Sequence, residues 1–502
     1  MILDLLEKNR DRDPNKIVLV DENESMTIEE FVKKAREIGT EIARLGFKNR
    51  AVAVESDRNI YSLLGFYGVL YSGNFFMPVD SKTPKKRLEM MVDRAKPVSY
   101  ISVDEKSVFS DFKTIDARGS FDEDEKLLDE IRKSYIDIDP CYLIWTSGST
   151  GEPKGVLINH SQTMELVKFL EDTFEIKSDD VLGCQSPFYF DGAMKDVFLF
   201  GACGVKLVII PQKYFALPIN LVEFLNENKV NVLLWAVSAL NILVNSKVLE
   251  KDNLKYVKKI SFAGESFQTS KLNYLMDKVD AKFVNLYGPS ETTVDCAYYI
   301  VDRKLSDDEI IPIGKAIPNM EIFLMDENLK EDNEKGEIVV RGSKISCGYY
   351  RDEDRTNSAF IQDPRQNFYR DIVYRTGDIA KYNENGELVF LSRSDDQIKH
   401  MGSRIELGEI EAAISSMEKI EEGACIYDYD QGKIVFFYSG DEVKRREIIV
   451  FLRDRLPKYM FPNEVVHLEK LPKNRNDKID RNELRTIYEK NKGNWRVRWN
   501  LK

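Results

Sequence analysis

The sequence predicts an α/β protein with a large N-terminal domain of layered helices and strands, which includes a small β-rich subdomain, and a small α+β C-terminal domain. Three observations support this class. Strand-like apolar runs alternate with amphipathic helical runs through residues 1–300, which is typical of α/β layers with mainly parallel sheets. Strands and turns dominate Ile311–Phe390. A new unit of helices and strands begins after Ser392–Asp396.

The elements of the first part follow from apolar periodicity. Residues with a helical spacing contrast with short continuous apolar runs, which are typical of buried strands. The helical runs are Thr27–Leu45 and Asn59–Tyr71, and the strand-like runs are Val52–Glu55, Cys141–Trp145, Val205–Ile210, Val230–Leu234 and Lys282–Leu286.

The strand-rich part has turns at Glu334–Gly336 and Asn383–Gly386. The Asn-Gly pair in the second turn is a strong hairpin signal. We therefore expect a small antiparallel barrel or sheet.

The last part of the chain has its own pattern. Its predicted elements are a helix at Gly408–Ser415, strands at Gly423–Tyr427 and Ile434–Tyr438, and a helix at Asp441–Arg455. We place the boundary at Asp395, which gives domains 1–394 and 395–502.

The composition excludes several classes. A net charge of −12 argues against nonspecific nucleic-acid binding. The six cysteines form no C-x-x-C pair, so we expect buried free thiols and a cytoplasmic location. The three scattered histidines disfavour a histidine metal site or a Ser-His-Asp triad. The longest apolar stretch, Val197–Pro211, is interrupted by Lys206 and is too short for membrane insertion.

The most informative segment is Trp145–Val156, where a strand-like run leads into a loop of glycines, hydroxyl residues and one lysine. Glycines let backbone N–H groups approach an anion closely. Lys154 adds a positive charge, and a strand that leads into such a loop suits a polyphosphate. The pattern is not a Walker loop, because Gly155 follows the lysine in place of Ser or Thr. Taken alone, the loop could equally be a flexible linker.

The other motifs of the chain resemble, in order, those of the adenylate-forming superfamily of acyl-CoA synthetases, luciferases and amino-acid adenylation domains. The form of the later motifs is similar to that of the amino-acid-activating branch, including stand-alone adenylation domains and D-alanine–carrier protein ligases. The matching segments are Thr146–Gly155, Phe190-Asp191, Tyr287–Thr292, Gly348–Tyr350, Tyr374–Asp378, Arg393–Lys399, Gly402–Glu411 and Asn476–Arg481.

This resemblance implies ATP and Mg²⁺ as cofactors. It places the β- and γ-phosphates in the glycine loop, adenine on Tyr287, the ribose hydroxyls on Asp378 and the metal ion on Glu291. When each motif is considered alone, these residues could have structural roles instead. Tyr287 could be a core aromatic, Asp378 could cap a turn, and Glu291 could be a solvated loop acid. The implied nucleotide-binding residues are Thr146, Ser147, Gly148, Ser149, Thr150, Gly151, Lys154, Gly264, Glu265, Tyr287, Gly288, Ser290, Asp378 and Arg393.

The same resemblance implies two half-reactions and three catalytic residues: Lys478, Lys399 and Thr292. Lys478 would bridge the substrate carboxylate and the α-phosphate. Asp477 precedes it where the family usually has Gly. After a rotation of the small mobile domain about Asp395, Lys399–Arg404 would guide the phosphopantetheine thiol of a carrier protein. Few residues follow Arg481, so we expect that carrier protein to act in trans.

The implied substrate is an amino acid whose α-ammonium group binds Asp191; the alternative for Asp191 is a helix N-cap. Within the side-chain pocket, Lys195 could meet an acidic side chain of the substrate, or it could pair with Asp295 or Asp191. We hypothesise a polar or acidic amino acid. The implied pocket residues are Asp191, Gly192, Lys195, Trp235, Ser261, Ala263, Leu286, Val294 and Asp295.

Three alternative functions stay open on the sequence. A D-alanine–carrier protein ligase would typically have Cys where this chain has Ala263. An acyl- or aryl-CoA synthetase would use free coenzyme A and would not need Asp191. A nonenzymatic nucleotide-binding protein is disfavoured because five implied site residues are present together: Lys154, Glu291, Asp378, Lys399 and Lys478.

Overall fold

The structure is a computed structural model that describes residues 1–103, 112–148, 152–251, 253–307, 309–332, 334–393, 397–400, 402–473 and 479–491. The chain divides into two compact units. The first comprises Met1–Ser81, Arg94–Trp145 and Gly155–Ser394, and the second comprises Lys82–Asp93, Thr146–Lys154 and Asp395–Lys502. The two short early segments of the second unit were not expected from the sequence. The predicted boundary residue, Asp395, lies outside the described residues, so the boundary stays a prediction.

Of the four helices predicted with limits, three begin and end within two residues of them, whereas the helix predicted at Asp441–Arg455 is shorter, at Arg445–Leu452. At the start of one of them, Thr27 and Glu30 form a reciprocal capping box, which fixes that start. The α-helices are α1 Ile2–Arg12, α2 Ile28–Ala43, α3 Ile60–Tyr71, α4 Lys85–Ala95, α5 Glu125–Lys133, α6 His160–Phe174, α7 Met194–Cys203, α8 Gln212–Phe215, α9 Pro218–Glu227, α10 Val237–Asn245, α11 Thr269–Lys278, α12 Glu353–Ala359, α13 Leu407–Ser415, α14 Arg445–Leu452 and α15 Arg481–Asn491.

The strands fall between these helices in the first unit and form hairpins later in the chain. They are β1 Ile17–Val20, β2 Ser25–Thr27, β3 Ala51–Glu55, β4 Phe75–Val79, β5 Tyr100–Ser102, β6 Thr114–Asp116, β7 Pro140–Thr146, β8 Lys154–Asn159, β9 Val181–Cys184, β10 Lys206–Ile209, β11 Val232–Ala236, β12 Lys259–Ala263, β13 Lys282–Tyr287, β14 Ala297–Val301, β15 Lys315–Ala316, β16 Met320–Met325, β17 Lys335–Gly342, β18 Phe360–Gln362, β19 Ile372–Tyr382, β20 Leu388–Arg393, β21 Gln397–His400, β22 Ser403–Glu406, β23 Ile420–Asp428, β24 Lys433–Gly440 and β25 Glu464–His467.

Two large sheets organise the first unit. In the described residues one sheet has the strand order β15-β14-β13-β12-β11-β9-β10-β1-β2, and the other has the order β6-β5-β3-β4-β7-β8. Strands β13, β12, β11, β9, β10 and β1 run parallel along the first sheet. The predicted α/β class with mainly parallel sheets is therefore confirmed.

The strand-rich part of the first unit is an antiparallel sheet in the order β16-β17-β19-β18, with β20 paired to β19. The sequence predicted either a small antiparallel barrel or a sheet, and the structure has the sheet. The predicted Asn-Gly turn joins β19 to β20, where Gly386 adopts the left-handed φ that such turns need.

The second unit has two small sheets of its own. Strands β21 and β22 form a hairpin, and β23, β24 and β25 form a three-stranded sheet. Helices α13 and α14 cover one face of the three-stranded sheet, in a core that includes Ile410, Phe436 and Ile448. The other face packs against α15 through Leu484 and Tyr488. The predicted α+β character of this part is confirmed.

Two sequence expectations about the surface and the thiols can be compared with the structure. Among the described residues, no helix combines the length and the apolar character that a membrane crossing needs. All six cysteines are free; Cys141, Cys184, Cys296 and Cys425 are buried, Cys203 is half-buried and Cys347 is exposed.

Candidate active site

The glycine loop lies between β7, which ends at Thr146, and β8, which begins at Lys154. Ser149, Thr150 and Gly151 lie outside the described residues. Gly148 has to be a glycine for a local reason, because a Cβ there would collide with the carbonyl oxygen of Glu152. The close approach of the Glu152 carbonyl to Gly148 therefore requires glycine at this position, independently of any ligand.

Polar groups of the second unit hold the two ends of this loop. Ser147 Oγ donates to the carbonyl oxygen of Arg404 over 2.6 Å. The Nζ atom of Lys154 lies 3.6 Å from a carboxylate oxygen of Glu406, and both side chains are largely buried. Lys154 thus has an acidic neighbour that the sequence did not indicate. Its predicted contact with phosphate stays a prediction.

The end of β13 carries a buried cluster of polar groups. Tyr287 donates its hydroxyl to Asp378 Oδ2 over 2.5 Å, and Arg393 donates to the other oxygen of the same carboxylate. Arg393 also donates to the carbonyl oxygen of Thr376 over 3.1 Å. Burial, with the neighbouring Asp378 charge, raises the pKa of the Tyr287 hydroxyl well above its usual value. The structure thus brings three predicted nucleotide residues together.

Tyr287 is nevertheless buried among apolar side chains, with only 5% of its surface exposed. This position is closer to the core aromatic that the sequence offered as the alternative. The following residue, Gly288, allows the backbone of Val294–Cys296 to pass so closely that a Cβ would meet it at 2.5–2.8 Å. Gly288 therefore serves the packing of the strand end, and stacking of adenine on Tyr287 stays a prediction.

Glu291 lies in the short 3-10 helix Ser290–Thr292 and is fully buried. Tyr349 donates its hydroxyl to Glu291 Oε1 over 2.7 Å, and the backbone N–H of Ser346 donates to the Glu291 carbonyl over 2.8 Å. Mg²⁺ at nucleotides is usually held by one or two carboxylates together with phosphate oxygens. A single glutamate oriented by a tyrosine fits that role, in which the ion would neutralise phosphate charge.

Thr292 occupies a structural position in the same turn. Its side chain is fully buried, and its hydroxyl donates to the carbonyl oxygen of Pro289 over 2.9 Å. This bond closes the 3-10 turn from within. The predicted catalytic role of Thr292 gains nothing from this contact and stays a prediction.

Asp191 opens the turn Asp191–Ala193, directly before α7. Its carboxylate accepts a hydrogen bond from the hydroxyl of Ser290. Burial raises the pKa of Asp191, against the lowering effects of that bond and of the Lys195 charge. Ser290, which the resemblance places among the nucleotide-binding residues, thus contacts the residue assigned to the substrate ammonium group.

Lys195 and Asp295 form the ion pair that the sequence offered as one alternative for Lys195. Lys195 Nζ lies 3.6 Å from Asp295 Oδ2, and the side chains are 3% and 2% exposed. Lys344 Nζ donates to the backbone carbonyl of Asp295 over 2.6 Å. Burial lowers the pKa of Lys344 to about 8.

The structure separates Trp235 from the other predicted pocket residues of these strands and gives its predicted role in the substrate pocket no support. In the parallel register of β11, β12 and β13, Trp235 pairs with Phe262, whereas Leu234 pairs with Ser261. Paired residues on neighbouring strands share a face of the sheet. Trp235 packs in a different hydrophobic core, and its indole donates to the Gly183 carbonyl over 2.7 Å.

The opposite face of these strands carries the other predicted pocket residues. Ala263 pairs with Leu286 across β12 and β13, and both pack against the core cluster that contains Leu234. Gly264 follows with a φ of +91°, and no atom lies within 4 Å of the position of its missing Cβ. Gly264 and Glu265 are half-buried. The backbone at the end of β12 is thus open enough to accept a ligand.

The remaining predicted catalytic lysines belong to the second unit. Lys399 lies on β21, where it pairs with Arg404 of β22. Gly402, in the connection between these strands, has a left-handed φ of +78°. Lys478 lies outside the described residues, and its catalytic role stays a prediction.

Three residues of this region were missed by sequence reasoning: Leu234, Lys344 and Tyr349. The strand Val232–Ala236 could have indicated Leu234 if its alternation had been read one residue earlier. Tyr349 lies in a quoted motif, but its contact with Glu291 depends on tertiary structure. Lys344 follows a Gly-Ser pair, and nothing in that pattern predicts a buried lysine.

Comparisons with known proteins agree with this geometry. The family described as AMP-binding enzyme matches residues 6–350, and the AMP-binding enzyme C-terminal domain matches residues 409–478. Bacitracin synthase 1 of Bacillus licheniformis is 31% identical over 490 residues, which cover 96% of this chain and 9% of that protein. Zwittermicin A synthase ZmaJ of Bacillus cereus is 27% identical over 504 residues, with 96% and 94% covered.

The fold comparison gives the same result. The structure of holo-PA1221, an NRPS protein containing adenylation and PCP domains, superposes with a TM-score of 0.82 at 22% identity and covers 97% of this chain and 84% of that one. The chain spans less than a fifth of the length of several large synthases that it matches. Motif order, fold and family match together show that the chain belongs to the AMP-binding enzymes of the adenylate-forming superfamily, in the amino-acid adenylation branch.

Proposed function

We propose that this protein activates an amino acid with ATP and passes the aminoacyl group to the phosphopantetheine thiol of a carrier protein. In the first step, a carboxylate oxygen of the substrate attacks the α-phosphorus. The bond from that phosphorus to the bridging oxygen breaks, and pyrophosphate leaves. In the second step, the thiol sulfur attacks the carbonyl carbon, AMP leaves with the bonding electrons, and the thiol proton passes to solvent.

The observation that carries the proposal is the environment of Asp191. Asp191 is half-buried, desolvation raises the pKa of its carboxyl group, and the hydroxyl of Ser290 orients it. An isolated buried carboxylate is unfavourable, and a cation at hydrogen-bond distance would offset its desolvation. The α-ammonium group of an amino acid is such a cation and would add to the effect of the Lys195 charge, whereas a fatty acid brings no positive group to this carboxylate.

The buried cluster at Asp378 supports the nucleotide half of the proposal. Each carboxylate oxygen of Asp378 accepts one bond, from Tyr287 and from Arg393. A carboxylate oxygen can accept two hydrogen bonds, so one lone-pair direction on each oxygen stays available for the two ribose hydroxyls. The bonds from Arg393 and Tyr287 fix the orientation of the carboxylate, as such an acceptor requires.

The carrier-protein step is supported by similarity. One structural neighbour is a protein with adenylation and PCP domains, and Bacitracin synthase 1, of which this chain covers 9%, is many times longer. Lys399, on the β21–β22 hairpin, is the residue that we assign to the thiol-transfer step. The carrier partner itself remains part of the proposal.

The first prediction concerns Lys478. Replacement of Lys478 by Ala should lower amino-acid-dependent ATP–pyrophosphate exchange by about 10²–10³-fold, because a charge that acts on the developing transition state is lost. ATP binding, measured by equilibrium titration, should change little. Exchange at the parental rate in Lys478→Ala would contradict the assigned role.

Two variants serve as comparisons. Lys399→Ala should keep exchange but reduce thioester formation with a pantetheinylated carrier protein. Lys490→Ala removes an exposed lysine of α15 and should leave both activities unchanged. If the wild-type protein forms a thioester only with free coenzyme A, the carrier-protein half of the proposal is wrong.

A further inference from the structure

The ion pair of Lys195 and Asp295 lies in the first unit, beside the residue assigned to the substrate ammonium group. Lys195 lies on α7, one helical turn after Asp191. The charges of Lys195 and Asp295 both act on the pKa of Asp191, Lys195 lowering it and Asp295 raising it. The three charged groups therefore form one cluster. The inference drawn from this cluster depends on the proposed function, in which Asp191 binds an amino acid.

This pair is buried but its hydrogen-bonding capacity is not used. The separation of 3.6 Å between Lys195 Nζ and Asp295 Oδ2 exceeds hydrogen-bond distance. Within the described part of the chain, Asp295 Oδ2 has no hydrogen-bond partner. In the same part of the chain no hydrogen bond of the Lys195 ammonium group is found. Buried polar groups are nearly always satisfied by hydrogen bonds. The Lys195 ammonium group can therefore donate to a third group, and Asp295 Oδ2 can accept from it.

The backbone that carries Asp295 is fixed by its surroundings. Lys344 Nζ donates to the Asp295 carbonyl, and Thr293 Oγ1 donates to the Lys344 carbonyl over 2.7 Å. Thr293 and Val294 have φ values of 55° and 72°, which branched residues adopt only when their surroundings enforce it. The loop that carries Asp295 is thus held from both sides.

Each class of amino-acid side chain would meet this pair differently. A carboxylate would bind Lys195 but be repelled by Asp295. An ammonium group would bind Asp295 but be repelled by Lys195. An apolar side chain would leave both buried groups unsatisfied, which is unfavourable. A neutral group that both accepts and donates would satisfy both.

We propose that Lys195 and Asp295 together select an amino acid with a primary carboxamide side chain. The carboxamide oxygen accepts a hydrogen bond from Lys195 Nζ, and the carboxamide NH₂ group donates to Asp295 Oδ2. The charges of the pair remain balanced when this neutral group binds. Asparagine and glutamine are the standard amino acids of this class, and the acidic substrate suggested by a lone Lys195 is disfavoured by Asp295.

The wild-type protein provides the first test. ATP–pyrophosphate exchange is measured with asparagine, glutamine, aspartate, glutamate, lysine, leucine and phenylalanine. One carboxamide should exceed the acid of the same shape by about tenfold or more, since sites built to hydrogen-bond a group reject analogues that cannot complete the bonds. Preference for an acidic, basic or apolar amino acid would overturn the inference while the proposed function survives. Absence of exchange with every amino acid would overturn both.

Two substitutions then test the pair directly. Asp295→Asn removes the repulsion of a carboxylate, so the ratio of carboxamide to acid exchange should fall about tenfold or more. Lys195→Met should lower kcat/KM for the carboxamide by about 10–100-fold and reduce its advantage over leucine. An unchanged ratio in the Asp295 variant, with parental KM for ATP, would overturn the assignment.

The matched controls are exposed residues of the same types. Asp280→Asn changes a side chain that is 91% exposed, and Lys168→Met changes one that is 67% exposed. Both should keep the wild-type substrate ratios. The measurement of ATP KM separates misfolding from altered selection, and the wild-type panel decides if a pocket variant does not fold.

Discussion

Asp196 is a buried carboxylate next to the proposed substrate cluster. It is 1% exposed, and neither oxygen has a hydrogen-bond partner in the described residues by geometric criteria. Burial raises its pKa to about 7, against the lowering effects of the Cys184 thiol and the Lys195 charge. The usual aspartate value is about 3.9. The folded protein therefore holds this proton up to neutral pH, whereas the unfolded chain releases it near pH 4.

This difference gives a prediction about stability and pH. Because the pKa is raised on folding, the contribution of Asp196 to stability is fully present below about pH 4 and is lost as pH rises from about 4 to about 7. The loss approaches about 4 kcal/mol, since each pKa unit is worth about 1.4 kcal/mol. Asp196→Asn should thus be more stable than the wild type at pH 8, with a smaller difference at pH 5, as measured by urea unfolding.

The control for this prediction is again Asp280→Asn, which changes an exposed carboxylate and should show no such pH dependence. A stability difference between Asp196→Asn and the wild type that is equal at pH 5 and pH 8 would contradict the buried, raised carboxyl group.

At the same scale, sequence motifs predict residue types better than contacts. Three separate motifs indicated Tyr287, Asp378 and Arg393 as nucleotide residues, and the structure joins all three by hydrogen bonds. Ser290 was placed among the nucleotide-binding residues, yet it contacts Asp191 across 99 residues of sequence. No local pattern encodes such a contact, because it joins two segments that only the folded chain brings together.

Strand β11 shows what periodicity can and cannot predict. Its apolar run predicts a buried strand, and the structure has one at Val232–Ala236. Because both faces of the sheet are covered, neither set of alternate residues is polar. The sequence therefore carries no sign of which residues face the pocket, and Trp235 was assigned to it in place of Leu234. The register of β11 with β12 shows which residues of β11 lie on which face of the sheet.

The two faces of β11 should respond differently to substitution. Leu234→Ala should widen the face shared with Ala263 and Leu286 and shift the amino-acid preference in pyrophosphate exchange toward larger side chains. Trp235→Ala should instead lower the free energy of unfolding by about 3–5 kcal/mol, because a cavity forms in a separate core. Its substrate ratios should stay those of the wild type. A changed preference in the Trp235 variant would contradict this division.

At the scale of the whole molecule, the chain contains cores that belong to one unit only. The core around Phe436 uses residues of the second unit, and the core around Phe262 uses residues of the first. Cooperative unfolding follows cores, so we expect more than one transition in scanning calorimetry. Phe436→Ala should lower one transition and Phe262→Ala another. A single transition that both variants lower equally would contradict this expectation.

The division into units was only partly accessible from sequence. A composition change near residue 395 indicated a late domain, which the α+β character of residues 397–491 matches. The assignment of Lys82–Asp93 and Thr146–Lys154 to the second unit could not be foreseen, because it depends on contacts between segments far apart in the chain. One such contact joins Arg87 to Glu409.

Gly148 shows how a sequence signature can outlast the chemistry associated with it. The residue lacks a side chain because the carbonyl of Glu152 occupies the space where a Cβ would stand. That constraint acts on the empty protein and is indifferent to nucleotide. A descendant that had lost its ligand would still be under selection to keep glycine there. A glycine at this position in a distant relative is therefore weak evidence that the relative still binds a nucleotide.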